Sequence, residues 1–335
     1  MPGKPAAGQR FPAITKVVHT RALAQYSLPR YSGFQVMVNA FVVINPVSGS
    51  LSDGKTFRTM LSQRLDDARW RYSIHETQEN DDLSAVVRDA CERGVTLVIV
   101  AGGDGTVGEV VNGMVGTTVP LGLVPVGTGN LFARAVGVPL RWEEALALII
   151  GEHRVIGVDS MYAAGRHCIL NISTGISSSS IYDTPRKDKR RFGILAYVWR
   201  VVGHIFGFKS YRFDLLLDGY LRTVDATELF VSNGTMVEDL PNLLGPQPTY
   251  CDGRIDVYVV NGRSVYDYLV IILRTIFRRP ARDEKFIHFS VFKRMTITAH
   301  RKSRLVQGDG EVISTTPVEI EVVPAAVRII VPDRE

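Results

Sequence analysis

The 335-residue sequence predicts an α/β protein in two parts: an N-terminal three-layer domain built on a parallel sheet, then a mainly antiparallel β-sandwich domain. Three observations predict this. Up to about residue 157, apolar runs of strand length alternate with segments of helical period. Beyond it, strand-like segments follow one another across turn signals. In the first part, three glycine-bearing loops each stand directly behind a strand, where parallel sheets bind their ligands. The length suits about two domains of roughly 100–200 residues each.

Val38–Ile44 is almost continuously apolar, as a strand buried on both faces requires. Lys55–Ala68 sets Phe57, Met60, Leu61, Leu65 and Ala68 on one helical face. Ser73–Thr77 reads as a short strand. Asp81–Arg93 opens with acids, buries Leu83, Val86, Val87 and Ala90, and stops before Gly94. Val95–Ala101 is a second buried strand, Thr106–Met114 an amphipathic helix, Leu121–Val126 a third strand, and Trp142–Ile150 a helix closed by Gly151. In the second part, strands are predicted over Val155–Tyr162, Tyr211–Leu217, Ala226–Ser232, Ile255–Val260, Phe286–Phe292, Met295–His300, Val312–Ser314 and Val318–Val323. Asp-Gly pairs at 218–219 and 309–310 mark hairpins. Apolar helices are expected near Ile194–Phe206 and Val265–Phe277. Val327–Val331 can close either domain.

The formal net charge is +5, and residues 1–36 account for all of it: Lys4, Arg10, Lys16, Arg21 and Arg30 stand there with no acid. With Pro2, Pro5, Pro12 and Pro29, this stretch reads as a basic extension, either a flexible arm or a transit-like leader. Cys91, Cys168 and Cys251 form no CxxC pair, so a disulfide framework and a thiolate metal site are both disfavoured and a reducing compartment fits. No apolar run approaches the ~20 residues of a membrane-spanning helix.

The loops carry the chemistry. Asn45-Pro46-Val47-Ser48-Gly49, Gly102-Gly103-Asp104-Gly105-Thr106 and Gly127-Thr128-Gly129-Asn130 each follow a predicted strand. Glycines let backbone N–H groups approach an anion, and a helix N-terminus adds partial positive charge. One such loop is an ordinary turn; three at successive strand ends point to a polyphosphate site. Asp104 would repel bare phosphate but suits a magnesium–nucleotide complex. It can equally cap the helix it opens. Glu109 and Asn112 can orient the loop or sit on that helix's polar face. Gly49–Thr56 also fits GxxxxGK[ST], the P-loop, although the match starts four residues after its strand ends and no clear Walker-B acid follows.

At these residues the chain resembles the diacylglycerol kinase and sphingosine kinase catalytic domain family, especially its soluble bacterial lipid kinases. The matching motifs are Asn45–Gly49; Gly102–Thr106 with Glu109 and Asn112-Gly113; and Pro125–Asn130 running on to Phe132-Ala133-Arg134. Weaker likeness continues through Gly193…Tyr197, Asn233-Gly234, Asp252-Gly253 and Asp309-Gly310-Glu311. The resemblance implies an ATP-dependent lipid kinase with a Rossmann-like nucleotide domain over 37–157, to which 325–335 is expected to return, and a lipid-acceptor domain over 158–324. It places Asn45, Pro46, Val47, Ser48, Gly49, Thr77, Gly102, Gly103, Asp104, Gly105, Thr106, Val107, Gly108, Glu109, Gly127, Thr128, Gly129 and Asn130 around ATP. It makes Glu311 the general base, with Asp104 as its catalytic companion. It implies a structural Mg²⁺ held by Asp252 and the carbonyls of Thr249 and Arg254. From the residues alone, Asp309-Gly310 and Asp252-Gly253 read as turns. The sequence departs from the family at Leu131, Ser179 and Val237–Pro241, which puts the acceptor's identity in question more than nucleotide binding. A soluble kinase of the NAD kinase type and a catalytically impaired pseudokinase are the alternatives.

Arg186–Arg212 holds eight Lys/Arg against one acid, and Arg274–Arg304 ten against two. Each flanks an apolar segment, the composition of an interfacial anchor. The expected partners are therefore a lipid substrate and a membrane surface met peripherally from the cytoplasm, with no nucleic acid, and with a homodimer left open.

Overall fold

The computed structural model describes residues 38–49, 54–175, 209–234, 250–262, 267 and 286–333. The expected arm over 1–36, the helix over Ile194–Phe206, all of Val265–Phe277 except Asp267, and Thr249 lie outside these residues.

The N-terminal half alternates as its periodicity predicts: β1 (Asn39–Ile44), α1 (Gly54–Asp67), β2 (Arg71–Glu76), α2 (Leu83–Glu92), β3 (Leu97–Gly102), α3 (Asp104–Met114), β4 (Pro120–Pro125), α4 (Leu131–Ala135) and α5 (Trp142–Ile150). The four strands pair in parallel in the order β2-β1-β3-β4. All six residues of β3 are buried, because helices cover both faces of the sheet. One face packs Phe57, Leu61 and Leu65 of α1 with Leu146 and Ile149 of α5. The other packs Leu83 and Val87 of α2 with Val107, Val110, Val111 and Met114 of α3. Each such fully buried aliphatic side chain stabilises the fold by about 1.5–3 kcal/mol.

The remaining strands are β5 (Arg154–Ala163), β6 (Arg166–Cys168), β7 (Asn171–Gly175), β8 (Tyr211–Leu217), β9 (Tyr220–Ala226), β10 (Glu228–Ser232), β11 (Ile255–Val260), β12 (Phe286–Val291), β13 (Arg294–Ala299), β14 (Leu305–Gly308), β15 (Glu311–Thr315) and β16 (Val318–Val331). Six of them form an antiparallel sheet, β12-β11-β10-β7-β14-β15. The first sheet continues through β16 into β13, β8 and β9, so the parallel core and one face of the sandwich are a single ten-stranded sheet. Between the two sheets Ile172, Leu229, Val231, Ile255 and Val257 meet Phe213, Leu215, Met295, Ile297 and Ile320.

The final strand differs from the sequence reading. The two segments Val318–Val323 and Val327–Val331 are one 14-residue strand, β16. Its first half pairs with β13; its second half pairs in parallel with β4. Along both halves it pairs with β5, with the register shifting between Val323 and Val327. The bulge contains Ala325 at φ 48°, and its N–H donates to Asp159 Oδ1 at 2.8 Å. Strands β6, β7, β14 and most of β9 are also additions to the sequence reading.

Candidate active site

The three loops converge at the C-terminal ends of β1, β3 and β4. Asn45 ties two of them together: its Nδ2 donates to Thr106 Oγ1 at 2.9 Å, its N–H donates to Ala101 O at 2.9 Å, and its Oδ1 accepts from Val47 N–H at 3.2 Å. Asn130, in the left-handed region at φ 50°, staples its own loop by accepting from Gly127 N–H and donating to Gly127 O, both at 2.9 Å. The loops touch through glycine. A Cβ on Gly127 would fall 2.5 Å from Gly103 Cα, and one on Gly49 would fall 2.5 Å from Thr128 Oγ1. Only residues without side chains allow backbones this close. Thr77 stands behind β2, its N–H held by Ile44 O at 2.9 Å, at the same end of the sheet. Gly105, Thr106, Val107, Gly108 and Glu109 form the first turns of α3, with Thr106 and Val107 buried.

Asp104 does not cap its own helix. The N-cap of α3 is Gly103, with no side-chain cap. Asp104 Oδ1 instead accepts from Phe132 N–H at 3.0 Å, satisfying an orphan donor at the start of α4. Asp104 Oδ2 faces the Gly129 loop, 3.2 Å from where a Gly129 Cβ would stand. One carboxylate oxygen thus fixes the loop while the other remains for a cation associated with phosphate, so the residues fit a magnesium–nucleotide complex.

A rigid path leads from these loops to the second domain. Asn112, near the C-terminal end of α3, donates to His167 O at 2.9 Å and accepts from His167 N–H at 2.8 Å, docking the helix on β6. The neighbouring Arg166 Nη1 donates to Glu311 Oε2 at 2.9 Å, with the Glu311 side chain half exposed. Burial draws Arg166 down, but the Glu311 contact together with the nearby Cys168 and Asp309 outweighs it and leaves the guanidinium above its ordinary range.

The Asp309-Gly310 turn places Glu311, with both turn residues at positive φ. The buried Asp309 carboxylate accepts three backbone N–H groups: Ile169 at 2.8 Å on Oδ2, and Leu170 and Asn171 at 3.0 Å on Oδ1. Burial still drives its pKa upward against those bonds. Asp309 Oδ2 lies 4.0 Å from the position of a Cβ on Gly108, so the turn abuts the first turns of α3. At about 1.5 Å of rise per residue, Gly108 stands roughly 8 Å along α3 from Gly103. Buried Gln307 braces the turn from behind. It donates to Asn171 Oδ1 at 2.9 Å and Ser173 Oγ at 2.8 Å, and accepts from Gly310 N–H at 2.9 Å. Asn171 and Gln307 give no local sequence signal of this role.

The Asp252 region is arranged differently from a cation cage. Asp252 Oδ2 lies 2.8 Å from Arg254 Nε, a charge contact whose N–H is not aimed along the line between them. Asp252 Oδ1 accepts from Arg254 N–H at 3.3 Å. Arg254 thus already supplies positive charge to the carboxylate, and among the described residues no group of three His, Cys, Asp or Glu side chains is placed to hold a metal. The Thr249 carbonyl expected to share a Mg²⁺ with Asp252 and the Arg254 carbonyl lies outside the described residues. Nearby Asp159 accepts from Gly253 and Ala325 N–H, and burial pushes its pKa up to about 6.

The close approach at Gly127 makes a direct prediction. Gly127→Ala forces a methyl group into Gly103, an overpacking cost of about 1–3 kcal/mol. Nucleotide affinity measured by titration calorimetry should fall about tenfold or more.

Each half of the chain matches a known family. Residues 39–161 match the family described as Diacylglycerol kinase catalytic domain, and residues 171–331 match the YegS C-terminal NAD kinase beta sandwich-like domain. The chain is 27% identical over 300 residues to a diacylglycerol kinase of Bacillus subtilis (strain 168), covering 88% of this chain and 97% of that protein. It is 24% identical over 268 residues to an uncharacterized protein of Synechocystis sp., covering 77% of this chain but only 61% of that longer protein. The crystal structure of a diacylglycerol kinase from Bacillus anthracis str. Sterne superposes with a TM-score of 0.73 at 25% identity, over 90% of this chain and 99% of that one.

Proposed function

Because the chain belongs to the diacylglycerol kinase-like lipid kinase family, we propose that it transfers the γ-phosphoryl group of ATP to the hydroxyl of a diacylglycerol-like lipid alcohol. The observation that supports this reading is the approach of the Asp309 carboxylate to Gly108 of α3, the helix that starts at the Gly102–Asp104 loop, with Glu311 two residues beyond Asp309.

The loops of Asn45–Gly49, Gly102–Asp104 and Gly127–Asn130 receive the phosphates through backbone N–H groups and the α3 N-terminus. Magnesium bound with the nucleotide supplies neutralisation of phosphate charge, and Asp104 Oδ2 would hold it. Glu311 takes the proton of the lipid hydroxyl as its oxygen bonds to the γ-phosphorus and the bond to ADP breaks. Arg166 keeps Oε2 occupied and the side chain oriented, which leaves Oε1 for that proton. Among the described residues no helix is long and apolar enough to cross a membrane. We place the enzyme in the cytoplasm, meeting its substrate at the bilayer surface.

A second reading has one specific observation in its favour: the second domain matches an NAD kinase-like sandwich. Purified protein given γ-labelled ATP decides between them, with NAD as soluble acceptor and mixed micelles carrying diacylglycerol, sphingoid bases or phosphatidylglycerol. Label in a lipid alcohol supports the proposal. Label in NAD alone overturns it, and nucleotide binding with no labelled product indicates a pseudokinase.

A further inference from the structure

Two basic stretches separated by most of the second domain's sequence end at one place in the structure. Lys209–Arg212 leads into β8, and Ala299–Arg304 leaves β13, the strand paired beside it. Together they line an open groove of about 830 Å³. His300 N–H donates to Arg212 O at 3.0 Å, which joins the two walls. Arg212 is paired with Asp225 at 3.0 Å and His300 with Asp214 at 2.8 Å. Arg304 lies 3.5 Å above the Tyr211 ring, a cation–π contact that fixes its guanidinium without removing its charge. Exposed Lys209, Arg301 and Lys302 add three more positive charges to the groove, and among the described residues Asp225 is its one lining acid.

We infer that this groove is the docking site for the anionic phospholipid surface of the bilayer. The inference rests on the lipid kinase reading and adds to it the surface that holds the enzyme to the membrane. Charge complementarity selects an anionic partner, worth roughly fivefold in binding per basic residue near an anionic surface. Single-stranded nucleic acid would need open ring faces for stacking. Among the described residues Tyr211 and His300 are the ring side chains lining the groove; Arg304 covers the face of the first, and the second is held by Asp214. One strand also connects the groove to the turn that carries Glu311. β14 (Leu305–Gly308) runs from Arg304 to Asp309, so groove and turn stand at opposite ends of it, about 16 Å apart at ~3.3 Å per residue.

The test is sedimentation of the full chain with phosphatidylcholine vesicles containing phosphatidylglycerol. The variant carries Lys209→Gln, Arg301→Gln and Lys302→Gln; all three side chains are exposed, so the fold should persist and the thermal midpoint reports on it. Vesicle affinity should fall about a hundredfold at low salt, at about fivefold per residue. Activity on dispersed short-chain diacylglycerol should remain. A control carrying Arg222→Gln and Lys293→Gln, exposed cations at the far end of β9 and before β13, should bind vesicles as the unaltered chain does. The inference is overturned if the groove variant binds vesicles normally, or if the control loses as much. It is also overturned if the variant loses binding to single-stranded RNA while vesicle binding is unmoved. Failure of the lipid kinase reading shows separately: the unaltered chain then phosphorylates no lipid alcohol, whatever its vesicle affinity.

Discussion

Glu311→Gln should lower lipid phosphorylation by roughly 10²–10⁴-fold, the usual contribution of a positioned general base. The amide keeps the size of the side chain and one oxygen for Arg166, so the fold and nucleotide affinity should hold to within about twofold. The side chain is half exposed and paired with Arg166. The loss should therefore appear in kcat, measured with saturating ATP and diacylglycerol micelles, rather than in the apparent KM for ATP. A variant with the turnover of the unaltered enzyme would remove Glu311 from the reaction and leave Asp309-Gly310 as a simple hairpin.

Asp309→Ala should destabilise the protein by roughly 3–5 kcal/mol, because three buried backbone N–H groups lose a charged acceptor together. Ile169, Leu170 and Asn171 have that carboxylate as the partner of their N–H groups across nearly 140 residues of sequence. Asp309→Asn keeps an oxygen for two of the three donors but points an N–H₂ at the third, and should cost about half as much. Denaturant unfolding reads both values. Activity of Asp309→Asn should fall as well, since the turn it anchors places Glu311 beside α3. Destabilisation below about 1 kcal/mol for the alanine variant would mean that the turn is not anchored by this carboxylate.

The convergence of the three loops was legible in the sequence because each is local. A glycine-bearing loop directly follows each of β1, β3 and β4, and parallel topology brings those strand ends together. The clasp between the domains was not legible, because each of its partners is ordinary in its own neighbourhood. Asp309 beside Gly310 spells a hairpin turn, and no nearby residue reveals that the carboxylate reaches β6–β7. Asn112 reads as the polar face of a helix until β6 is packed against it. Asp104 followed the capping preference of aspartate but applied it to α4, 28 residues on, and not to α3. Val318–Val323 and Val327–Val331 read as separate segments. Pairing with β5, together with the Asp159 carboxylate under Ala325 N–H, carries the chain through the bulge and joins the parallel core to the sandwich. The edge strand β9 exposes four of its seven residues, so it lacked the apolar run that marks interior strands.

The central claim is that phosphate loops on β1, β3 and β4 and the carboxylate of Glu311 act on one bound nucleotide and one lipid hydroxyl. Transfer of γ-label from ATP into chloroform-extractable lipid measures this most directly, with the unaltered chain and Glu311→Gln compared at equal nucleotide occupancy on diacylglycerol micelles. The account predicts labelled phosphatidic acid from the unaltered chain and almost none from the variant, while both bind ATP alike. Equal labelling by the two proteins, or label released only as inorganic phosphate, would contradict it.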